Sequence, residues 1–260
     1  GAASTLSNTG TATLASGGTT TTFANGVTHN TGPTTVTGTL TATAGNLTLG
    51  ATNLTGTLNA TAGGVSTTSL SALGATDAVN GGTVSTGNIT IADSDTLTLA
   101  GSTIGTGSIT GANLVGGATA SNVAFDATGA VTVGGAVGTD IGTVTVTNSA
   151  GASFQAVTAT GVSIANTGAG NTVAFNGDLT VGTAMTVAAG ATPGYLVSIL
   201  GTTNSITGTT TFNNTGATTI GDAVGDTTTF TGGVVATAGA KNIAGAINTS
   251  NTAMNLGTTA

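Results

Sequence analysis

Between residues 209 and 233 the sequence reads TTTFNNTGATTIGDAVGDTTTFTGG, and the tetrapeptide Thr-Thr-Thr-Phe occurs twice, ending at Phe212 and at Phe230. Between the copies the short alternation Thr218-Thr219-Ile220 is closed by Gly221-Asp222 and Gly225-Asp226, dipeptides that supply positive φ and local side-chain hydrogen bonds at turns. A unit of about 18 to 20 residues built as strand, turn, strand, turn cannot bury an apolar face alone, so successive units are expected to stack as coils of a solenoid.

The phenylalanines extend that reading along the chain. Phe23, Phe125, Phe154, Phe175, Phe212 and Phe230 follow one another at intervals that, with the exception of the step from Phe125 to Phe154, lie near multiples of about 20. A second partial copy relates VAFDATGAVTVG at 123–134 to VAFNGDLTVG at 173–182, aligning Phe125 with Phe175. The repeat is therefore loose, as coils that vary at their turns would make it.

Composition decides between strand and helix. Thr makes up about a quarter of the chain, there are 45 Gly, and charged residues are 3% against a usual fraction of roughly 25%. Glu and Arg are absent and Lys241 stands alone, so the strong helix formers are missing and almost no helix is expected. Disorder is excluded by a mean hydropathy of +0.39 with little charge, the reverse of the composition that keeps chains unfolded. Short strands bounded by Gly are predicted at 11–14, 19–23, 34–43, 88–91, 96–99, 108–110, 113–115, 131–133, 143–147, 172–175, 179–181 and 185–187. Residues 65–87 are the least patterned, and SLSALGATDAVNGG within them could hold a helical turn. The fold expected is an all-β solenoid of roughly 13 coils of about 20 residues, continuous over residues 1–260, as a mature chain or a fragment of a longer one. Tandem β-sandwiches are the alternative, but they need longer strands and a larger aromatic core than six Phe, one Tyr and no Trp provide.

Charge removes several function classes. The net charge of −7 comes from Asp77, Asp93, Asp95, Asp126, Asp140, Asp178, Asp222 and Asp226 against Lys241. Nucleic acid and anionic membrane surfaces both require a basic footprint that this chain lacks. Cysteine is absent, which removes disulfides and thiolate metal sites and suits a secreted bacterial surface protein. No run approaches the ~18 apolar residues of a membrane helix, so no membrane insertion is expected. The opening GAASTLSNTG has no charged segment followed by an apolar one, so the chain is expected to begin at a processed terminus or inside a longer polypeptide.

Few residues offer chemistry. Asp93 with Asp95, and Asp222 with Asp226, are the acids close in sequence; calcium is the ion such pairs would take, but the nonapeptide calcium repeat is missing and turn formation is the favoured role. His29, the single histidine, lies in the loop-like NGVTHNTG and is expected to be solvated or locally bonded, because no other His, Cys or Glu can complete a catalytic or metal set. No catalytic, cofactor or metal residue is assigned. Residues 191–200, ATPGYLVSIL, break the pattern with the only Tyr, Tyr195; core filling is favoured over a bulged excursion or a contact surface for a neighbouring subunit. Sequons at Asn46, Asn53, Asn59, Asn88, Asn213 and Asn248 are about as frequent as chance provides in such a chain. Thr pairs such as Thr41/Thr43, Thr96/Thr98 and Thr143/Thr145/Thr147 raise the idea of water-ordering ladders, as in ice-binding solenoids. Their sequence spacing is not constant, and a β-branched surface role is preferred.

The phrases GNLTL, ITIADSDTLTLAG, VTVTNSAG, TTIGDAVGDTTTFTGG and NTAMNLGTT resemble the β-strand repeats of large bacterial surface proteins, similar to the filamentous-haemagglutinin and autotransporter-passenger group. The resemblance implies a right-handed parallel β-helix, secretion, and a role as adhesin, fibre, sheath or surface-layer material. Residues 231–260 carry neither a polar capping helix nor a charged end, and solenoid ends need caps. The function expected is thus a non-enzymatic, self-assembling extracellular subunit of a filament, sheath or surface matrix, with other copies of itself as partners and extracellular polysaccharide or a cell surface as further ones. A monomeric adhesin-type module for glycan, surface or ice is the alternative, and a β-helix polysaccharide-degrading enzyme comes after it.

Overall fold

The computed structural model describes residues 1–112 and 119–257. The chain is all β, a parallel solenoid of about 12 turns of roughly 21 residues. The strand expected at 113–115 lies outside the described residues. Each turn lays down three short strands in a fixed order, one on each of three faces. In an early turn these are Val27–His29 on the first face, Thr34–Val36 on the second and Thr39–Ala42 on the third. In a later one they are Leu196–Ile199, Thr203–Ile206 and Thr210–Phe212. Strands on one face pair in parallel with those one turn on. Where the corner needs no loop the strand runs round it, as in Leu47–Leu54, Thr76–Ile91 and Thr96–Thr106, which knit the faces into one sheet of 31 strands among the described residues.

Register holds while residue count varies, apart from two irregularities where Ser121–Ala127 meets Ile141–Asn148. The third-face partners Thr39 and Thr57 enclose a shorter stretch of chain than the third-face partners Thr98 and Ala124. Both pairs nevertheless occupy adjacent rungs, with a spacing of ~4.8 Å. The duplicated Thr-Thr-Thr-Phe does not mark one coil, because Phe212 belongs to the third face and Phe230 to the second face of the next turn. The equivalent residues here are others: Thr211 pairs with Val235, and Ser205 with Thr229. The copies at 123–134 and 173–182 are likewise out of phase, since Phe125 sits on the third face and Phe175 on the first. Among the phenylalanine steps, the one from Phe154 to Phe175 joins true register partners.

Alternation in each short strand sends every second side chain inward. Leu40, Leu58, Val79, Leu99, Phe125 and Val146 stack on successive rungs of the third face and are at most 1% exposed. Each such side chain contributes ~1.5–3 kcal/mol by leaving water, set against the entropy of ordering it. Phe154 bridges two neighbours, meeting Phe125 edge-on at 5.7 Å and stacking on Phe175 at 5.4 Å. Residues 65–87 hold no helical turn: they form Val65–Ala72 and the start of Thr76–Ile91, with Leu70 inward and Leu73 half exposed at the corner. Stacking also forces glycine at tight corners. Gly26 has φ +90°, and a Cβ there would collide with the Asn46 backbone one rung on.

Candidate functional site

The acids gather at corners of the rod. Between the second and third faces, Asp77 is buried and its carboxylate accepts hydrogen bonds from the Gly56 N–H at 2.5 Å and the Gly74 N–H at 2.9 Å. Burial outweighs these bonds and pushes its pKa up, with the Asp95 charge adding to the rise. Asp95 is also raised, by burial first and then by Asp93. Its own backbone N–H closes a tight turn onto the Ala92 carbonyl, with Ser94 held at φ 67°. The structure thus joins Asp77 to the expected Asp93–Asp95 pair. Asp77 is in register with Leu97 rather than with Asp95, so no sequence offset announced this meeting at the corner.

The other pair divides its roles. Asp226 Oδ2 accepts from the backbone N–H groups of Asp222 at 2.8 Å and Ala223 at 2.9 Å, and these bonds lower its pKa. It closes a loop whose tip, Val224, is 95% exposed. That is the turn chemistry expected of it. Among the described residues, no three of His, Cys, Asp and Glu form a group able to hold a metal.

His29 is locally bonded but not solvated. It points inward and is fully buried, with Nδ1 2.9 Å from Thr34 Oγ1 and Nε2 3.2 Å from the Asn8 carbonyl oxygen. The loop-like phrase around it is a strand, Val27–His29, whose alternation carries the ring to the core side. Tyr195 is core filling as well. It is fully buried, its hydroxyl donates to the Ala188 carbonyl, and burial raises its pKa to about 12. Tyr195 is therefore not a contact surface for a neighbouring subunit.

The outer faces correct one inference from spacing. On the second face Thr35, Asn53, Ser71, Thr90 and Thr110 occupy consecutive rungs, and Thr158, Thr180, Ser205, Thr229 and Asn248 continue the file further along. Gly138, the partner of Thr110, interrupts the file, and on either side of it a ladder of hydroxyls and amides exists although its members recur at uneven sequence intervals. Loops of different length absorb the unevenness at the corners, and the backbone rungs impose the pitch.

In the first and last described turns the apolar side chains are less covered than in those between. In the last turn Ile243 and Met254 are 45% and 43% exposed, although their partners one rung earlier, Ile220 and Val234, are buried. In the first turn Leu6, Leu14 and Phe23 pack on the core yet stay partly exposed. Lys241 lies in the last turn, where its ammonium donates to the Ala238 and Gly239 carbonyls and burial lowers its pKa. Comparison with family models, with curated proteins and with solved structures finds no match.

Proposed function

We propose that this chain is a structural rod of the bacterial cell surface, secreted and built to join other copies of itself into a filament, sheath or surface matrix. One observation carries the reading. The three ladders keep parallel pairing from the first described turn to the last, so the chain is a repetitive rod that one more rung of matching strands extends. A strand edge backed by an apolar face pairs readily with another strand of matching register. A further solenoid turn supplies three such strands at once, and another copy of this chain presents them. The near absence of Lys and Arg fits the same role, since trypsin-like proteases find a single basic residue, Lys241. Electron microscopy across a concentration series, with sedimentation of the same samples, tests the reading. Filaments or sheets are expected, broken down to short rods by Ile243→Asp. A persistently monodisperse rod of about 53 Å, the axial span of 12 rungs, would overturn it.

A further inference from the structure

Where the third face turns into the first, the surface of the rod sinks into a trough. Its outer wall is a file of consecutive rungs, Asn59, Asn80, Ala100, Asp126 and Asn148. Its floor is the next file inward, Ala60, Gly81, Gly101 and Ala127, in the same register. The floor is low because only Ala and Gly line it, and at Gly101 a Cβ would collide with the Gly81 carbonyl oxygen. The opposite rim carries the hydroxyls of Thr61, Ser102 and Thr128. Two shallow, open hollows of about 510 and 390 Å³ adjoin along this corner and share Asp126 and Thr128, so they run on as one open groove. From Asn59 to Asn166 the groove crosses six rungs, a span of about 24 Å.

The two halves of the wall differ in what they leave free. In the later half the side chains satisfy one another: Asn148 Nδ2 donates to Asp126 Oδ1 at 2.7 Å, Asn166 Nδ2 to Asn148 Oδ1 at 2.9 Å, and the Ala191 N–H to Asn166 Oδ1 at 2.9 Å. In the earlier half the amides of Asn59 and Asn80 face the hollow one rung apart, and they make no side-chain hydrogen bond among the described residues. Ala100 then leaves a notch in the wall before Asp126. Each free amide offers a donor pair and an acceptor across from a row of hydroxyls. That is the complement of vicinal hydroxyls on a sugar. The Asp126 carboxylate and the net charge of −7 oppose an anionic chain.

We infer that the trough binds a neutral, extended polysaccharide lying along the rod axis, held by Asn59, Asn80 and the hydroxyl rim. It lies on the flank of the rod, so glycan binding and end-to-end stacking stand or fall separately. Calorimetric titration with cello-, manno- and chito-oligosaccharides of increasing length tests it. For at least one series the affinity is expected to rise with length up to about five sugar units, the number that fits a ~24 Å groove, and then to level off. Ala100→Trp fills the notch from an outward position, and the double variant Asn59→Ala/Asn80→Ala removes the free amides. Each is expected to weaken binding at least ~10-fold, while Thr229→Trp on the second face leaves it unchanged. Circular dichroism of each variant confirms that the solenoid is intact. Absence of heat with all three series at about 10 mM, or binding indifferent to both trough variants, would overturn the proposal.

Discussion

Two stretches of the interior solve the same packing problem in opposite ways. Around Phe125, Phe154 and Phe175 the core is dry, three rings from two faces interlocking across successive rungs. Around residues 204–228 it is hydrogen-bonded. Asn204 is buried, its Oδ1 accepts from the Leu179 N–H at 3.0 Å, and its Nδ2 donates to the Gly201 carbonyl at 2.7 Å and to Thr228 Oγ1 at 3.1 Å. The flanking strands keep their parallel pairing in both. The backbone ladder therefore tolerates either filling, and the Asn204 cluster meets the cost of burying polar groups by pairing them.

The sharpest way to break the comparison is in the dry stretch. Phe154→Ala is expected to cost ~3–5 kcal/mol, because it removes a fully buried ring and both of its aromatic contacts. A solenoid turn contacts chiefly its neighbours, so the loss is expected to be local. Hydrogen exchange checks it: amides in 123–187 lose protection while those in 27–60 keep theirs. A uniform loss along the whole rod would mean that the turns do not act as near-neighbour units. In the hydrogen-bonded stretch Asn204→Leu is expected to cost about 2–4 kcal/mol despite adding apolar volume, because the Leu179 N–H, the Gly201 carbonyl and the Thr228 hydroxyl all lose their partner. Protection measured at Leu179 and Thr228 reads this directly. An unchanged Asn204→Leu rod would mean that apolar filling alone suffices there.

How legible all this was in the sequence depends on whether the signal lay along the chain or across it. Alternation such as Thr-Leu-Thr-Ala at Thr39–Ala42 and the Gly-bounded phrases report strands and turns within a few residues, and from them the stacked, helix-free architecture follows. Which residues stack is a property of register, and the corners hide it. The Thr-Thr-Thr-Phe copies looked like consecutive coils, yet variable corner loops place Phe212 and Phe230 on different faces. The same variation concealed the ladders from Thr35 to Thr110 and from Thr158 to Asn248, and it separated Asn59 from Asn80. His29 misled for a related reason: its polar neighbours suggested a loop, while a two-residue period fixed the ring inside. A polar residue in a strand this short is inward or outward by parity alone, and parity becomes readable once a register partner such as Leu49 is known.

The smallest expected effect falls on polar groups in the late turns that lack partners. Thr210 Oγ1, Thr218 Oγ1 and Asn214 Oδ1 are buried with no hydrogen bond among the described residues, in contrast to Asn204 nearby in sequence. Thr218 points inward between Val197 on one rung and Lys241 on the next. Thr218→Val keeps the branched shape and deletes a hydroxyl that gave up its water without replacement, so a gain of about 1 kcal/mol is expected. For a chain of this size that corresponds to a rise of about 2–4 °C in the midpoint of thermal unfolding. A fall instead would identify an internal water bound to Thr218. The late turns would then match the Asn204 cluster in being fully hydrogen-bonded, and the contrast within the core would reduce to dry against wet.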